Sequence, residues 1–175
     1  MSSLKSTDSS QAASAEQLPN GLIVSLNELI AMCHNGERGY ALACDRVDSE
    51  VLRGLFEAYA RQRGEFAELL RQEVLQLGGT PETGGDLAGT LHRLWIRWRR
   101  ALAASDATIV AECLTGDAAA LEVYEEARQG IAASPLEELI DQQYEAIRAA
   151  HGRLHSLLAG GQLRAGTRDE RRESK

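Results

Sequence analysis

The sequence predicts an all-α protein, and two observations about its composition support this prediction. Its 175 residues include 26 Ala, 24 Leu and 18 Glu, against 7 Ile, 6 Val and 7 Thr. The first three residue types favour helices, whereas the last three are the β-branched types that sheets prefer. Prolines, which interrupt helices, number only three. This composition excludes a β-sandwich and argues against a doubly wound α/β enzyme.

The charge and the cysteine content restrict the partners and the compartment. With a net charge of −7, the chain lacks the dense basic face that nucleic acid requires, so we expect no nucleic-acid partner. No stretch reaches the roughly 18 uncharged apolar residues of a membrane span. The first twenty residues lack the apolar core of a signal peptide, so we expect no export. Three cysteines, an odd and sparse count, suit a reducing cytoplasm.

Composition divides the chain into three segments. Residues 1–20 are rich in Ser, Ala and Gln without an apolar period, which predicts a disordered N-terminal arm. Residues 160–175 follow a Gly pair with mixed charges and predict a disordered C-terminal tail. Residues 21–159 carry the helical signals and are long enough to bury a core. We predict one helical domain there.

Capping signals predict the first helical hairpin. Its first helix begins at the capping-box spacing of Ser25 and Glu28 and runs to about Val47. Its second helix follows the candidate caps Asp48-Ser49 and ends at Gly78-Gly79.

The second hairpin is predicted in the same way. Its first helix runs from roughly Asp106 to Arg128. Its second begins at Ser134-Pro135, where an N-cap residue precedes a proline of the first turn. This last helix carries an apolar stripe, namely Leu136, Ile140, Ile147, Leu154 and Leu158.

Between the hairpins, the segment Asp86 to Ala103 predicts a short crossover helix. Its apolar residues recur at helical spacing and include Trp95 and Trp98, with arginines among them. One interpretation places this helix on an anionic membrane surface or against a partner protein. We favour the alternative, in which both Trp side chains cover one side of the bundle while the arginines face water or neighbouring acids.

An internal repeat relates the two hairpins at a fixed offset of 80 residues. It aligns Cys-x-x-Gly-Glu at residues 33–37 with Cys-x-x-Gly-Asp at residues 113–117. The same offset holds through the following helix, where Gln-x-x-Glu at residues 62–65 aligns with Gln-x-x-Glu at residues 142–145. We therefore predict two repeated hairpins joined by one long connection.

The repeat places one carboxylate on each long helix. These acids are Glu37, Glu65, Asp117 and Glu145. Four acids near the centre of a bundle cannot all stay ionised and unpaired, so they must be protonated, paired with cations or bound to a metal. In the second helix we place Glu65 in a row beside an apolar stripe of Leu55, Tyr59, Phe66 and Leu70.

A carboxylate on each of four helices, related by duplication of a hairpin, resembles the ferritin-like di-iron superfamily. More narrowly, the chain resembles a bacterial family of ferritin-like four-helix-bundle proteins, a domain of unknown function with some members associated with stress responses. The resemblance implies the ferritin-like fold over residues 26–158. The residues that carry it are Leu26-Asn27-Glu28-Leu29, Cys33-His34-Asn35-Gly36-Glu37-Arg38-Gly39-Tyr40, Leu55-Phe56-Glu57, Arg63-Gly64-Glu65-Phe66, Leu77-Gly78-Gly79, Leu87-Ala88-Gly89, Leu91-His92-Arg93, Trp95, Glu112-Cys113, Gly116-Asp117 and Ile147-Arg148-Ala149-Ala150-His151.

The chain departs from the di-iron pattern at the histidines. A di-iron site uses Glu-x-x-His on two helices, but here Glu68 follows Glu65 and Arg148 follows Glu145. Glu68 retains oxygen ligands for a hard cation, whereas Arg148 has none and would instead neutralise nearby acids. His151 lies on the apolar stripe of the last helix, offset from the usual ligand position, and we interpret it as a core histidine.

These observations lead to three functional hypotheses. We favour a non-catalytic bacterial accessory protein, related to stress, whose carboxylate site is ion-paired and needs no cofactor. The second hypothesis is a protein that binds or oxidises iron or another divalent metal. The third is an adaptor that acts on a membrane surface or a protein partner through the crossover helix. Independently of these hypotheses, we expect the bundle to be a monomer or a homodimer. The candidate metal ligands are Glu37, Glu65, Glu68, Asp117, Glu145 and His151.

Overall fold

The computed structural model describes residues 7–83, 105–131 and 134–160, with side chains from residue 20 onward. Within these residues the chain forms four helices and no strand. The helices are α1 (Thr7–Cys44), α2 (Glu50–Gln76), α3 (Asp106–Ile131) and α4 (Glu137–Ala159). The prediction of an all-α four-helix bundle is confirmed.

The first helix is longer than its capping signal indicates. It begins at Thr7, inside the segment expected to be a disordered arm, so the start predicted at Ser25 is wrong. The residues before Ser25 include Ala, Gln and Glu, which are good helix formers, and the helix also continues through Pro19 and Gly21, which disfavour a helix interior. A capping-box spacing inside such a stretch does not stop the helix.

The second helix begins and ends close to its predicted bounds. The Ser49 hydroxyl caps it by accepting a hydrogen bond from the backbone N–H of Leu52. At the other end, Gly78 has a φ of 75°, a left-handed conformation that glycine adopts without a steric penalty. The N–H of Gly79 then donates to the carbonyl oxygen of Val74 at 2.9 Å, which satisfies one of the last carbonyls of the helix.

Asn27 ties the chain that follows α2 back to α1. Its side-chain Nδ2 donates to the carbonyl oxygen of Thr80 at 3.0 Å, and its Oδ1 accepts from the N–H of Glu82 at 2.7 Å. Both hydrogen bonds of one amide are therefore made to backbone groups of the same loop. They fix the direction in which the chain leaves the first hairpin.

The helices pack as two neighbouring hairpins. Helix α1 packs along α2 and against α3, and α3 packs against α4. One apolar cluster lies towards one end of the bundle and includes Leu26, Ile30, Leu70, Tyr124 and Ile147. The other lies towards the opposite end and includes Tyr40, Phe56, Val110, Cys113 and Leu154.

Two charged residues separate these clusters. On α2, Arg63 follows the residues of one cluster and precedes those of the other, and Asp117 does the same on α3. Both are buried, with relative exposures of 1% and 3%. The centre of the bundle is therefore a polar layer between two apolar halves.

Some predicted elements lie outside the described residues. These are the crossover helix from Asp86 to Ala103, with Trp95 and Trp98, and nearly all of the C-terminal tail. Among the helices of the described ranges, none has the length and apolar content that a membrane crossing needs.

Candidate functional site

The polar layer is centred on an ion pair between α2 and α3. Arg63 Nη2 donates to Asp117 Oδ1 at 2.9 Å, and the two side chains are 2% and 4% exposed. The hydroxyl of Tyr40, on α1, donates to the other carboxylate oxygen at 2.6 Å. Three helices thus each contribute one polar group to a contact that water does not reach.

A second buried chain of hydrogen bonds lies beside the contact of Arg63, Asp117 and Tyr40, at least one helix turn further along α1 and α3. Tyr124 on α3 donates to Gln143 Oε1 on α4 at 2.7 Å. Because this hydrogen bond uses the only hydroxyl proton of Tyr124, the Cys33 thiol at 3.1 Å is the donor to the Tyr124 oxygen. Gln143 Nε2 in turn donates to the carbonyl oxygen of Phe66 on α2 at 3.5 Å. This chain connects all four helices.

Two glycines make room for the charged side chains at the α1–α2 contact. A Cβ atom at Gly36 would lie 3.1 Å from Cγ and 3.2 Å from Cδ of Arg63. A Cβ at Gly64 would lie 3.0 Å from Oε1 of Glu37. A close approach of the helices beside these charged side chains is therefore observed at both positions. It is not observed at Gly39 and Gly116, where a Cβ meets no atom within 4 Å.

A cavity of about 380 Å³ lies between α1 and α3, next to the polar layer. Its lining combines apolar side chains, such as Met32 and Val123, with polar Asn35, Arg63 and Asp117. Among the described residues, Arg63 Nη1 and Asn35 Oδ1 are buried atoms without a hydrogen-bond partner. A buried donor or acceptor left unpaired costs about 1–3 kcal/mol. Two residues of the cavity lining therefore each carry a polar atom that is buried and has no hydrogen-bond partner in the described chain.

Burial controls the pKa of the groups in the polar layer. It raises the pKa of the Asp117 carboxyl, and the Arg63 guanidinium and the Tyr40 hydroxyl only partly oppose this effect. Burial, together with the Asp117 charge, also raises the pKa of Tyr40 well above its ordinary value. Tyr40 is therefore a neutral hydrogen-bond donor at neutral pH.

The glutamates predicted at the second and fourth helices do not face the centre. Glu65 is 65% exposed and lies 3.8 Å from Arg61, and Glu145 is 55% exposed and lies 2.7 Å from Arg148. Glu68 is 51% exposed and pairs with Arg71 at 2.8 Å. The predicted inward position of Glu65 and Glu145 is wrong, because the buried polar residues of these helices are Arg63 on α2 and Gln143 on α4. A helix turns by about 200° over two residues, so Glu65 points away from the core.

The remaining predicted residues lie nearer to the centre. Asp117 is buried in the ion pair. Glu37 is 44% exposed, and its Oε2 lies 3.3 Å from His34 Nδ1, from which it accepts a hydrogen bond when that nitrogen carries the proton. His151 is half-buried, its Nδ1 is one of the buried atoms without a partner in the described chain, and its charged form would lower the pKa of Asp117.

The six candidate ligands do not assemble into a metal centre. In the described part of the chain, no three His, Cys, Asp or Glu side chains lie close enough together to hold one ion. Three of the glutamates are bound to arginines of their own helices. The residues present therefore do not fit a di-iron group.

The sequence predicted Arg148 as the arginine that neutralises the central acids, and this prediction is wrong. Arg148 pairs with Glu145 at the surface, whereas Arg63 neutralises the buried acid. Arg63 lies seven residues after Phe56 and seven before Leu70, both fully buried. Since a seven-residue spacing keeps one helix face, an arginine between two buried apolar residues was the signal that identified it. The predicted stripe shared Leu70 with the buried face but included the half-buried Leu55 and Phe66 in place of Phe56 and Ala67, which concealed this position.

The fold and the site define a helical bundle whose centre is a buried ion pair beside a cavity. Residues 22–130 match a family model described as a domain of unknown function, DUF2383, and the chain belongs to this family. The matched segment contains both Arg63 and Asp117. No curated protein matches the chain.

Proposed function

We propose that this protein is a non-catalytic, ferritin-like accessory protein of the bacterial cytoplasm in which an ion pair takes the place of a metal centre. The observation that carries the proposal is the contact between Arg63 Nη2 and Asp117 Oδ1, at 2.9 Å and shielded from solvent. A stress-related role rests on the family resemblance alone.

The charges of the polar layer support this proposal. A metal ion between helices needs several anionic or neutral ligands, and a guanidinium cannot serve as one. Arg63 supplies one positive charge against the one negative charge of Asp117, so the layer is neutral without an added cation. A divalent ion in this layer would be repelled by the Arg63 guanidinium, and Asp117 would be the one carboxylate of the pair available to bind it.

The surroundings of Asp117 also argue against redox turnover. Its two carboxylate oxygens already accept hydrogen bonds from Arg63 and Tyr40. Glu65 and Glu145, at the places where a di-iron protein would carry bridging or terminal ligands, are exposed. The chain's own residues therefore hold the acid in place instead of presenting it to a metal.

Metal analysis followed by iron titration tests the proposal. The protein is purified without chelator, its metal content is measured, and Fe(II) is then added anaerobically before exposure to oxygen. We expect far less than one metal ion per chain and no oxygen consumption above that of buffer. Stoichiometric iron that is lost in Glu65→Ala would overturn the proposal.

A matched variant separates ligation from general surface charge. Glu126 is an exposed acid of α3, away from the polar layer. If Glu65→Ala and Glu126→Ala change weak iron binding equally, the iron binds through surface charge, as the proposal requires. A loss confined to Glu65→Ala supports the metal-binding alternative instead.

A further inference from the structure

The groove between α1 and α3 is open and largely apolar in the described part of the chain. The cavity of about 380 Å³ lies in this groove, and its lining includes Met32 and Val123. A Cβ at Gly39 or Gly116 meets no atom within 4 Å. Other small residues complete the lining on this side, namely Gly36, Ala119 and Ala120. Because protein interiors are close-packed, such a groove is suited to the bulky side chains of another element.

The contact between α1 and α2 has no comparable space. A Cβ at Gly36 would lie 3.1 Å from Cγ of Arg63, and a Cβ at Gly64 would lie 3.0 Å from Oε1 of Glu37. Since these two helices are already in close contact, an element that lies beside α1 finds room on the side of α3.

Two sets of hydrogen bonds fix where the chain between the hairpins begins and ends. Asn27 of α1 binds the backbone of the loop that follows α2. The Asp106 carboxylate accepts from the N–H of Asp48 at 2.9 Å and from that of Ser49 at 3.1 Å, just beyond the end of α1. From Asn27 to Cys44 the helix rises by about 26 Å. The intervening chain therefore has to connect two points at opposite ends of α1, and it leads directly into α3.

The length of this chain suits a helix over that distance. The crossover helix predicted from Asp86 to Ala103 has 18 residues and would span about 27 Å. The same residues as an extended strand would span about 60 Å. The helical form thus matches the separation of the two fixed ends without slack.

The sequence of the predicted crossover helix complements the groove. Its apolar side chains share one helix face and include two indoles, namely Leu91, Leu94, Trp95, Trp98 and Leu102. The opposite face carries arginines, namely Arg93, Arg97 and Arg100. One face therefore suits an apolar groove and the other suits an acidic surface.

The charges favour the second hairpin as the neighbour of this helix. Residues 84–104 carry four arginines and one aspartate, whereas residues 105–160 carry ten acids and three arginines. Glu122, an exposed acid of α3, lies in the lining of the groove itself. Opposite charges on two surfaces favour their association and help to fix how they align.

We propose that residues 86–103 occupy the groove between α1 and α3 as a fifth helix of the bundle, with Trp95 and Trp98 packed against the small residues of its lining. The arginines of the other face then lie beside the acids of the second hairpin. The family match over residues 22–130 includes this segment within the domain. The inference goes beyond the proposed function, since it holds whether or not the polar layer binds a metal.

Quenching of tryptophan fluorescence tests the location, because Trp95 and Trp98 are the only tryptophans of the chain. In a Cys44→Ser background, a nitroxide is attached through Thr115→Cys, an exposed position of the groove lining, or through Glu145→Cys, an exposed position of α4 outside it. A nitroxide quenches tryptophan only at short range, and its reduction with ascorbate gives the unquenched reference. We expect the label at position 115 to remove more than half of the emission and the label at position 145 to leave it nearly unchanged. Equal emission in the two labelled proteins overturns the proposal.

A mixing experiment shows whose segment lies in the groove. The full chain with Trp95→Phe and Trp98→Phe, labelled through Thr115→Cys, is mixed with unlabelled protein that retains both tryptophans. Unchanged emission supports the proposal. Quenching in the mixture would mean that the groove takes this segment from a second copy, which contradicts the assignment within one chain.

A pair of variants tests the space itself. Gly116→Leu places a side chain in the groove, and Gly130→Leu is the matched control at an equally open position of α3 outside the lining. With helix content verified by circular dichroism, we expect tryptophan emission at longer wavelength and stronger quenching by acrylamide in Gly116→Leu alone. The proposal fails if Gly116→Leu has no effect. It also fails if the tryptophans of the unmodified protein become shielded from acrylamide only when anionic vesicles are added, which would assign them to a membrane surface.

Discussion

Arg63 of α2 and Asp117 of α3 neutralise each other inside the bundle, with Nη2 and Oδ1 2.9 Å apart. Neither side chain is more than 4% exposed, so both ions lose nearly all of their hydration. In such pairs the cost of removing the ions from water equals or exceeds the attraction between them. The pair is therefore sensitive to the loss of one partner and tolerant of the loss of both.

The first prediction concerns this asymmetry. Arg63→Met leaves the Asp117 carboxylate buried without a counter-ion, and we expect the free energy of unfolding to fall by about 3–5 kcal/mol. Adding Asp117→Asn should recover most of that loss, since Asn retains an oxygen that accepts from Tyr40. Urea denaturation followed by circular dichroism measures both values. A double variant as unstable as the sum of the two single variants contradicts the prediction.

The control for this experiment is an exposed ion pair. Arg71 and Glu68 are 45% and 51% exposed on the outer face of α2. Arg71→Met should leave the unfolding free energy unchanged within error, because exposed pairs are screened by water. The comparison separates the effect of burial from that of losing any arginine.

The second prediction concerns pH. Burial raises the folded-state pKa of Asp117 above its value in the unfolded chain, which is about 3.9. Between these two pKa values the folded state holds more protons than the unfolded state, so stability falls as the pH rises through this window. We expect the unfolding free energy of the protein, relative to Asp117→Asn, to decrease from pH 4 upward. A difference that increases with pH would mean that the carboxylate is stabilised on folding.

The third prediction concerns the thiols. Burial raises the pKa of Cys33 to about 11 and also raises the pKa of Cys113, and both side chains are buried. Burial and the Glu57 carboxylate also raise the pKa of Cys44, but this side chain is only partly buried, so a reagent reaches it more readily than the other two. Since the thiolate must form and be reached by the reagent, a disulfide reagent at pH 8 should modify one thiol rapidly in the folded protein and three after denaturation.

Two cysteine variants identify the reactive thiol. Cys44→Ser should remove the rapid phase, and Cys33→Ser should leave it intact. A rapid phase that survives Cys44→Ser would show that the core opens on the timescale of the reaction. Mass spectrometry of the labelled peptides gives an independent assignment.

The fourth prediction concerns two helical glycines of the same motif. Gly116→Ala adds a methyl group in open space and should stabilise the protein by about 1 kcal/mol. Gly36→Ala adds it 3.1 Å from Cγ of Arg63, a side chain held by the ion pair that cannot move aside. Gly36→Ala should therefore destabilise the protein despite its better helix propensity. Thermal unfolding of both variants measures the sign, and equal shifts would contradict the prediction.

The sequence predicted the class of the fold because the relevant signals are local. Ser49 caps α2, and Gly78 ends its last turn in the left-handed conformation. The length of α1 was not predictable from its capping box, since the helix extends beyond that spacing, through Pro19, to Thr7. Local signals thus predicted the number and type of the elements more reliably than they predicted the residues at which the elements begin.

The site was only partly predictable because it depends on which face of α2 is buried. On α3, the internal repeat placed Asp117 near the centre of the bundle, and Asp117 is buried there. On α2, the sequence analysis selected Glu65 instead of Arg63, which lies two residues and about 200° away around the helix. The 80-residue offset could have identified Arg63, because it aligns Arg63 of α2 with Gln143 of α4. Both are large polar side chains that the bundle buries.

The polar layer also determines how the helices are aligned along their axes. A slide of α2 by one turn, about 5.4 Å, would carry the Arg63 guanidinium out of reach of Asp117 and into one of the two apolar halves. Leu and Ile side chains in those halves are interchangeable enough to pack in more than one alignment, but an unpaired buried charge is not tolerated. The ion pair thus excludes the shifted alternatives and leaves one register for the bundle.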